Sequence, residues 1–214
     1  MRNETRNLII ASLTAAVLWF VMFSPWTGGR FNFWLEMSCA AVALATLAVF
    51  FTSDFKSLLR VEKPLWQVVG GVLIAFLLWG VFWVGDKVSA LMFDFARPEV
   101  DAVYSMKTGL PPYAIALLLL FVIGPAEELF WRGYVQRTLS RVLTGKKAAD
   151  IAFILTTLVY ALVHIWSFNF MLVMAALVAG AAWGFFYRLC PKALPALIIS
   201  HALWDALVFV ILPI

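Results

Sequence analysis

This sequence has few of the charged residues that keep soluble proteins in water. Only 13% of its 214 residues are Asp, Glu, Lys or Arg, whereas a soluble domain carries about 25%, and 64% of the residues are apolar. A chain of this length has too small a core to hide so much apolar surface from water. The composition therefore excludes an ordinary soluble domain and predicts a protein that lies in the lipid bilayer.

Cysteine and a continuous basic region are also scarce. The two cysteines, Cys39 and Cys190, lie in or beside apolar runs, so no disulfide framework is indicated. A sequence pI near 9.2 is compatible with nucleic-acid binding, but that function needs a basic face on a folded domain. The least apolar stretches, 85–111 and 132–150, are too short to form such a domain. We therefore reject nucleic acid as a partner.

Seven apolar runs approach the roughly 20 residues that an α-helix needs to cross a hydrocarbon core of about 30 Å. The sequence thus predicts an all-α, polytopic bundle of about seven transmembrane helices, with residues 1–214 forming one integral membrane domain. The first run is long for a signal peptide and is expected to stay as an uncleaved span. The predicted spans are 8–23, 34–51, 65–84, 112–131, 148–165, 168–187 and 194–212.

The distribution of positive charge predicts how these spans are oriented. If the N-terminus is cytoplasmic, twelve of the 16 Lys and Arg residues fall on the cytoplasmic side, as the positive-inside rule requires. We therefore expect a cytoplasmic N-terminus and an external C-terminus, in the inner membrane of a prokaryote. The four residues on the external side are Arg30, Lys87, Arg97 and Lys107.

Ionisable side chains inside the apolar runs are candidates for function, because placing one in lipid costs about 2.5–3.5 kcal/mol or more. The densest group lies in the sequence GPAEELFWR, which ends at Arg132. Glu128 and Arg132 are four residues apart on one helical face and are predicted to pair. Glu127 points about 100° away from Glu128, which leaves its carboxylate for other work.

Both histidines of the chain lie in apolar runs, and each has a polar residue one helical turn away. Tyr160 precedes His164 by four residues, and Asp205 follows His201 by four residues. A single buried histidine usually has a structural role. Two histidines together with two glutamates in a lipid-embedded chain favour chemistry instead.

These residue types suffice for hydrolysis of a peptide bond without a covalent intermediate. A partly desolvated carboxylate can take a proton from water and later return it. A histidine can orient that water or donate a hydrogen bond to an oxyanion, and Asp205 can fix which nitrogen of His201 carries the proton. Two histidines and one or two carboxylates can also bind zinc, although the H-E-x-x-H spacing is absent. Both routes stay open, and we expect no cofactor.

With these residues the chain resembles the CPBP family of intramembrane endopeptidases, which includes the CAAX prenyl proteases and the bacterial Abi proteins. Its motifs are E-E-x-x-x-R, F-x-x-x-H and H-x-x-x-N, in that order on separate helices. Tyr160 stands in place of the usual Phe, and Asp205 in place of the usual Asn. The resemblance covers about 125–205 and places the catalytic helices within 112–212. The matching motif residues are Glu127, Glu128, Arg132, Tyr160, His164, His201 and Asp205.

The resemblance implies a function and a role for each motif residue. Glu127 would activate water with assistance from His164, and His201 with Asp205 would stabilise the tetrahedral intermediate. The implied substrate is a membrane-anchored protein or a peptide, reached from the cytosol or from the inner leaflet. The residues that would hold the site together are Glu128, Arg132 and, as an aromatic wall, Tyr160.

Two other classes of membrane protein fit the same residues. A non-catalytic scaffold or immunity protein would use them as a buried hydrogen-bond network, and a proton-coupled transporter would use them as a proton relay. The sequence shows no inverted repeat of the kind that many transporters carry. A protease requires Glu127, His164 and His201 to line one cavity. The predicted boundaries place Glu127 and His201 about 10 Å, but His164 nearer 20 Å, from the cytoplasmic face.

Three small or rigid residues predict features of the helix packing. Gly180 and Gly184 form a G-x-x-x-G pattern that lets a neighbouring helix approach closely. Pro125 directly precedes the two adjacent glutamates, and we expect a kink there.

Overall fold

A computed structural model of the chain describes residues 2–58 and 60–214. The described residues form helices and no strands, and seven of the helices are long and apolar enough to cross a membrane. The predicted all-α, polytopic bundle is therefore confirmed. Spans 1 to 7 are Asn3–Phe23, Phe33–Phe51, Pro64–Met92, Pro112–Val142, Ala148–Ser167, Phe170–Leu189 and Pro191–Ile211. A short helix, Phe55–Leu58, and a longer one, Ala96–Ser105, lie between spans.

Local sequence signals fix where several spans begin. The Asn32 side chain accepts hydrogen bonds from the first backbone N–H groups of span 2, and Asn169 does the same for span 6. Spans 3 and 4 begin with Pro64 and Pro112, at positions where the missing N–H of proline costs no helical hydrogen bond. The span starts therefore agree with the predicted ones within a few residues, except at the N-terminus.

The predicted end of span 4 was wrong, and the correction changes the position of the site. The helix continues past Trp131 to Val142, because Arg132 and Gln136 are buried in the bundle and do not form a loop. Glu127 is therefore about 22 Å from either end of span 4 at 1.5 Å per residue, not near the cytoplasmic end. His164 lies about 24 Å along span 5 by the same measure. The predicted difference in depth between Glu127 and His164 thus disappears.

Span 4 changes its hydrogen-bond register on both sides of the two glutamates. The segments Leu119–Ile123 and Leu129–Gln136 are π-helical and flank the α-helical turn Gly124–Glu128. The backbone N–H of Gly124 bonds to the Leu119 carbonyl, five residues back. Pro125 follows directly and has no N–H to give, so the expected kink is realised as a register change in a continuous helix. Such π-segments are frequent at functional sites.

Glycines set the closest approaches between the spans. A Cβ atom added to Gly124 would lie 2.6 Å from the Cα atom of Ala202, so span 4 touches the backbone of span 7 beside the glutamates. A Cβ atom on Gly180 would lie 2.8 Å from the Tyr160 ring, and one on Gly184 would lie 3.0 Å from Phe153. The G-x-x-x-G pattern therefore packs span 6 against span 5, as expected.

Ion pairs of Asp54 with Arg137 and Arg141 join the loop between spans 2 and 3 to the end of span 4. The Asp54 carboxylate accepts hydrogen bonds from the Arg137 guanidinium, from Arg141 at 3.3 Å and from the Ser57 hydroxyl at 3.1 Å. The hydrogen bond from Arg137 is the main reason that the pKa of Asp54 falls from its ordinary 3.8 to about 2. Because the pKa of Asp54 is lower in the folded protein than in the unfolded chain, the ionised carboxylate stabilises the fold at a pH above its ordinary pKa. This stabilisation is lost as the pH falls towards the pKa of the folded protein.

Asp54→Asn is accordingly expected to destabilise the protein slightly at neutral pH. The Asp54 side chain is 41% exposed, so solvent screening limits the loss to less than about 1 kcal/mol. The measurement is the thermal unfolding temperature in detergent of variant and wild type. Their difference should be constant above about pH 5 and vanish between about pH 4 and pH 2. Asp94→Asn, at an exposed acid without a described ion pair, is the control. A difference in unfolding temperature that does not change with pH would contradict this role of the Asp54 carboxylate.

Candidate active site

Spans 4, 5 and 7 bring the predicted site residues to one cavity of about 430 Å³. Span 4 contributes Glu127, span 5 contributes Tyr160 and His164, and span 7 contributes His201 and Asp205. All five residues are buried. The convergence that a protease requires is therefore present, although the three spans are far apart in the sequence.

The rest of the cavity is mainly apolar and extends to one end of the bundle. Its walls include Phe23 at the end of span 1, Phe33 at the start of span 2 and Phe170 at the start of span 6. These residues share the end of the bundle opposite the N-terminus. The charge distribution predicts that end to be external, whereas access from the cytosol or inner leaflet was also predicted. This geometry makes the two predictions incompatible with each other.

The helix Ala96–Ser105, here called the cap helix, forms the wall of the cavity at this end. Arg97 donates to the Asp86 carboxylate of span 3 at 2.9 Å, and the Glu99 carboxylate accepts from the Met171 backbone N–H of span 6 at 2.8 Å. The Tyr104 hydroxyl donates to the Val208 carbonyl of span 7 at 3.0 Å. Much of the weakly apolar stretch 85–111 is therefore helical, and the cap helix within it is attached to three spans.

Glu128 is committed to partners within the protein. Its Oε1 atom accepts hydrogen bonds from Arg132 Nη1 at 2.8 Å and from His201 Nδ1 at 2.9 Å. Arg132, which is only 1% exposed, also donates to the Gly180 carbonyl at 3.1 Å. The expected i, i+4 pair is thus present, and it connects spans 4, 6 and 7.

Glu127 has a different environment from its neighbour. It forms no ion pair with the described residues, whereas Glu128 pairs with Arg132 and His201. The Oε2 atom of each of the two glutamates lacks a hydrogen-bond partner among the described residues. The Tyr160 hydroxyl interacts with its carboxyl group. Two adjacent glutamates therefore have separate surroundings, with Glu128 in a network and Glu127 facing the shared cavity.

The ring of His201 is held from three sides. Nδ1 faces the Glu128 carboxylate, Nε2 lies 3.5 Å from Asp205 Oδ2, and Trp183 stacks on the ring with centroids 3.8 Å apart. A carboxylate therefore lies beside each ring nitrogen of His201. Glu128 occupies the Nδ1 side because span 7 crosses span 4 at Gly124, and Asp205 lies beside Nε2 at the cavity.

His164 uses both ring nitrogens within the protein. Nδ1 lies 2.8 Å from the Tyr160 carbonyl oxygen, and Nε2 accepts a hydrogen bond from the indole N–H of Trp19 at 3.1 Å. The polar partner expected one turn away is therefore the backbone of Tyr160, not its hydroxyl. Trp19 belongs to span 1 and is fully buried.

Several residues that shape this site could not be predicted from the sequence. Trp19 and Trp183 are two of the ten tryptophans in the chain, and nothing in the sequence distinguishes them from the others. Gln136 donates to the Gly184 carbonyl at 2.8 Å, one helical turn from the Arg132 contact with Gly180. The only available signal was the G-x-x-x-G pattern, whose small residues leave these carbonyls accessible to span 4.

The donor set for a metal ion is not assembled in the described part of the chain. No group of three or more His, Cys, Asp or Glu side chains is placed to share an ion there. Both nitrogens of His164 and one nitrogen of His201 already have protein partners. The zinc alternative therefore does not fit the described side chains of this site.

Comparison with known proteins agrees with the motifs. The sequence model of the family described as type II CAAX prenyl endopeptidase Rce1-like matches residues 109–207. No curated protein and no solved structure matches the chain. The matched segment contains all seven motif residues, while spans 1 to 3 and the cap helix lie outside it. Residues 109–207, slightly less than half of the chain, are therefore similar to the Rce1-like family of type II CAAX prenyl endopeptidases.

Proposed function

We propose that this protein is an intramembrane endopeptidase in which Glu127 activates the water that attacks the peptide bond. The observation that carries the proposal is the contrast between the two adjacent glutamates. Glu128 is bound to Arg132 and His201, whereas Glu127 forms no described ion pair and lines a cavity with two histidines. A base must be free to accept and release a proton, and Glu127 is the carboxylate that meets this condition.

The reaction begins with a water molecule held between Glu127 and the substrate carbonyl. Glu127 takes one proton from this water while the oxygen bonds to the carbonyl carbon, which gives a tetrahedral intermediate with an oxyanion. The intermediate collapses when its carbon–nitrogen bond breaks, and Glu127 returns the proton to the departing amine. All of these transfers use a single carboxyl group, so no covalent intermediate forms.

His201 supplies the hydrogen bond to the oxyanion. The Nδ1–H group of His201 donates to Glu128. In the proposed mechanism Nε2 also carries a proton, which makes the ring an imidazolium with its Nε2–H group facing the cavity. The carboxylates of Glu128 and Asp205 on its two sides balance this charge. Asp205 therefore acts by orienting and stabilising His201, and it does not need the N–H donor that an Asn would provide. A preorganised donor of this kind contributes about 100- to 1,000-fold to the rate.

The walls of the cavity favour an apolar substrate segment. Methionine and phenylalanine side chains line it beside the polar cluster, among them Met37, Phe82, Met106, Met171 and Met174. Long, flexible methionine side chains adapt to varied apolar surfaces. We propose a membrane-associated peptide substrate of the CAAX type, which reaches Glu127 from the end of the bundle that carries the cap helix.

The test is hydrolysis by the purified protein in liposomes. Three peptides are compared: a prenylated CAAX peptide, its unprenylated form, and an apolar C-terminally anchored peptide. Mass spectrometry in H₂¹⁸O should show one cleavage with ¹⁸O in the new carboxyl group, and activity should survive a strong chelator. Loss of activity with the chelator would contradict the metal-free mechanism. No cleavage of any peptide would favour the scaffold, and proton flux without cleavage would favour the transporter.

A further inference from the structure

We propose that Trp19 is a positioning residue of this site, because its indole N–H holds His164 as the Nδ1–H tautomer and thereby fixes the helical turn that carries Tyr160. This inference deepens the proposed function and rests on it for its kinetic readout only. Trp19 lies in span 1, outside the segment that matches the family.

Two independent hydrogen bonds define the tautomer of His164. The indole nitrogen of Trp19 can only donate, so His164 Nε2, at 3.1 Å, must be the acceptor. The carbonyl oxygen of Tyr160 can only accept, so His164 Nδ1, at 2.8 Å, must carry the proton. Both partners require the same form of the ring. A proton on Nε2 would face the Trp19 N–H with no acceptor between them, so the ring stays neutral.

Packing holds the Trp19 indole where it makes this bond. Its ring meets Trp131 edge-on with centroids 6.2 Å apart, and it meets the His164 ring edge-on at 6.0 Å. Phe23, one turn further along span 1, contacts the His164 ring at 5.5 Å. Large aromatic rings have few alternative positions in a close-packed interior. Span 1 therefore presents a fixed donor to span 5.

The bond matters because it connects span 1 to the base. His164 is attached through Nδ1 to the backbone of Tyr160, and the Tyr160 hydroxyl interacts with Glu127. Both nitrogens of His164 have protein partners, and His164 lines the same cavity as Glu127. The Trp19 hydrogen bond therefore fixes the ring of His164 and the turn of Tyr160 beside the base.

The first test is the ¹⁵N NMR spectrum of the histidine side chains in the wild-type protein. The chain has only two histidines, and His201→Gln identifies the signals of His201 by their loss. His164 is expected to show a protonated Nδ1 and an unprotonated, hydrogen-bonded Nε2. A wild-type spectrum with the proton on Nε2 of His164 would overturn the proposal, whether or not any variant folds.

The second test is Trp19→Phe, which keeps an aromatic ring but removes the N–H. The His164 signals should change towards a mixture of tautomers while those of His201 stay, and kcat should fall about 10- to 100-fold, as for other supporting hydrogen bonds, with KM nearly unchanged. Trp79→Phe is the control, since its indole N–H also donates to a carbonyl, that of Leu212 at 2.8 Å. Unchanged His164 signals, or an unchanged kcat, would overturn the proposal. If the protein cleaves no peptide, the proposed function fails while the spectra still decide the tautomer.

Discussion

Glu127→Gln is expected to reduce peptide hydrolysis by about a thousandfold or more and to leave the protein folded. Glutamine has the shape of glutamate but cannot accept a proton from water, and general base catalysis contributes about 100- to 10,000-fold. Glu127 forms no ion pair with the described residues, so the substitution leaves no partner charge behind. The measurement is kcat/KM in liposomes, together with the thermal unfolding temperature in detergent.

A matched substitution separates loss of the base from a general effect on the membrane protein. Glu36→Gln changes a glutamate of span 2 that does not line the cavity, and it should keep wild-type activity and stability. If Glu127→Gln retains activity within about tenfold of wild type, the base must be another group. If it instead unfolds the protein while Glu36→Gln does not, Glu127 has the structural role of a scaffold residue.

Much of the fold and part of the site followed from the sequence. Apolar runs of sufficient length predicted the seven spans, since an α-helix satisfies its backbone hydrogen bonds within a single segment in lipid. The four-residue spacing predicted the pair of Glu128 and Arg132, because such spacing places two side chains on one helical face. These predictions depend only on local geometry, which the chain itself contains.

The predictions that failed depended on contacts between distant helices. The predicted span 4 ends at residue 131, directly before the polar side chains of Arg132 and Gln136, which are costly to place in lipid. In the structure they are buried because carbonyls of span 6, at Gly180 and Gly184, accept their hydrogen bonds. A hydropathy profile of the sequence does not include hydrogen bonds to other helices. The donor role of Trp19 towards His164 was hidden for the same reason, since it spans 145 residues of sequence.

Glu128→Leu is expected to cost about 3–5 kcal/mol of stability, because removal of one partner of a buried ion pair leaves the other charge uncompensated. Among the described residues, Arg132 would keep the Gly180 carbonyl and the faces of Tyr160 and Trp183, whose ring centroids lie 5.0 and 5.5 Å from its guanidinium carbon. Loss of the partly buried pair of Asp54 and Arg137 should cost less than about 1 kcal/mol by comparison.

The double variant Glu128→Leu/Arg132→Met shows whether this cost comes from an unpaired charge. It should be more stable than Glu128→Leu alone, since replacing a whole buried pair by apolar residues is often neutral. Unfolding free energies of the single and double variants form the cycle, and additive losses would contradict the buried pair. The double variant should also be nearly inactive, because His201 loses the carboxylate that binds its Nδ1. A folded but inactive double variant would show that the Glu128 network serves the reaction by holding His201, beyond any contribution to stability.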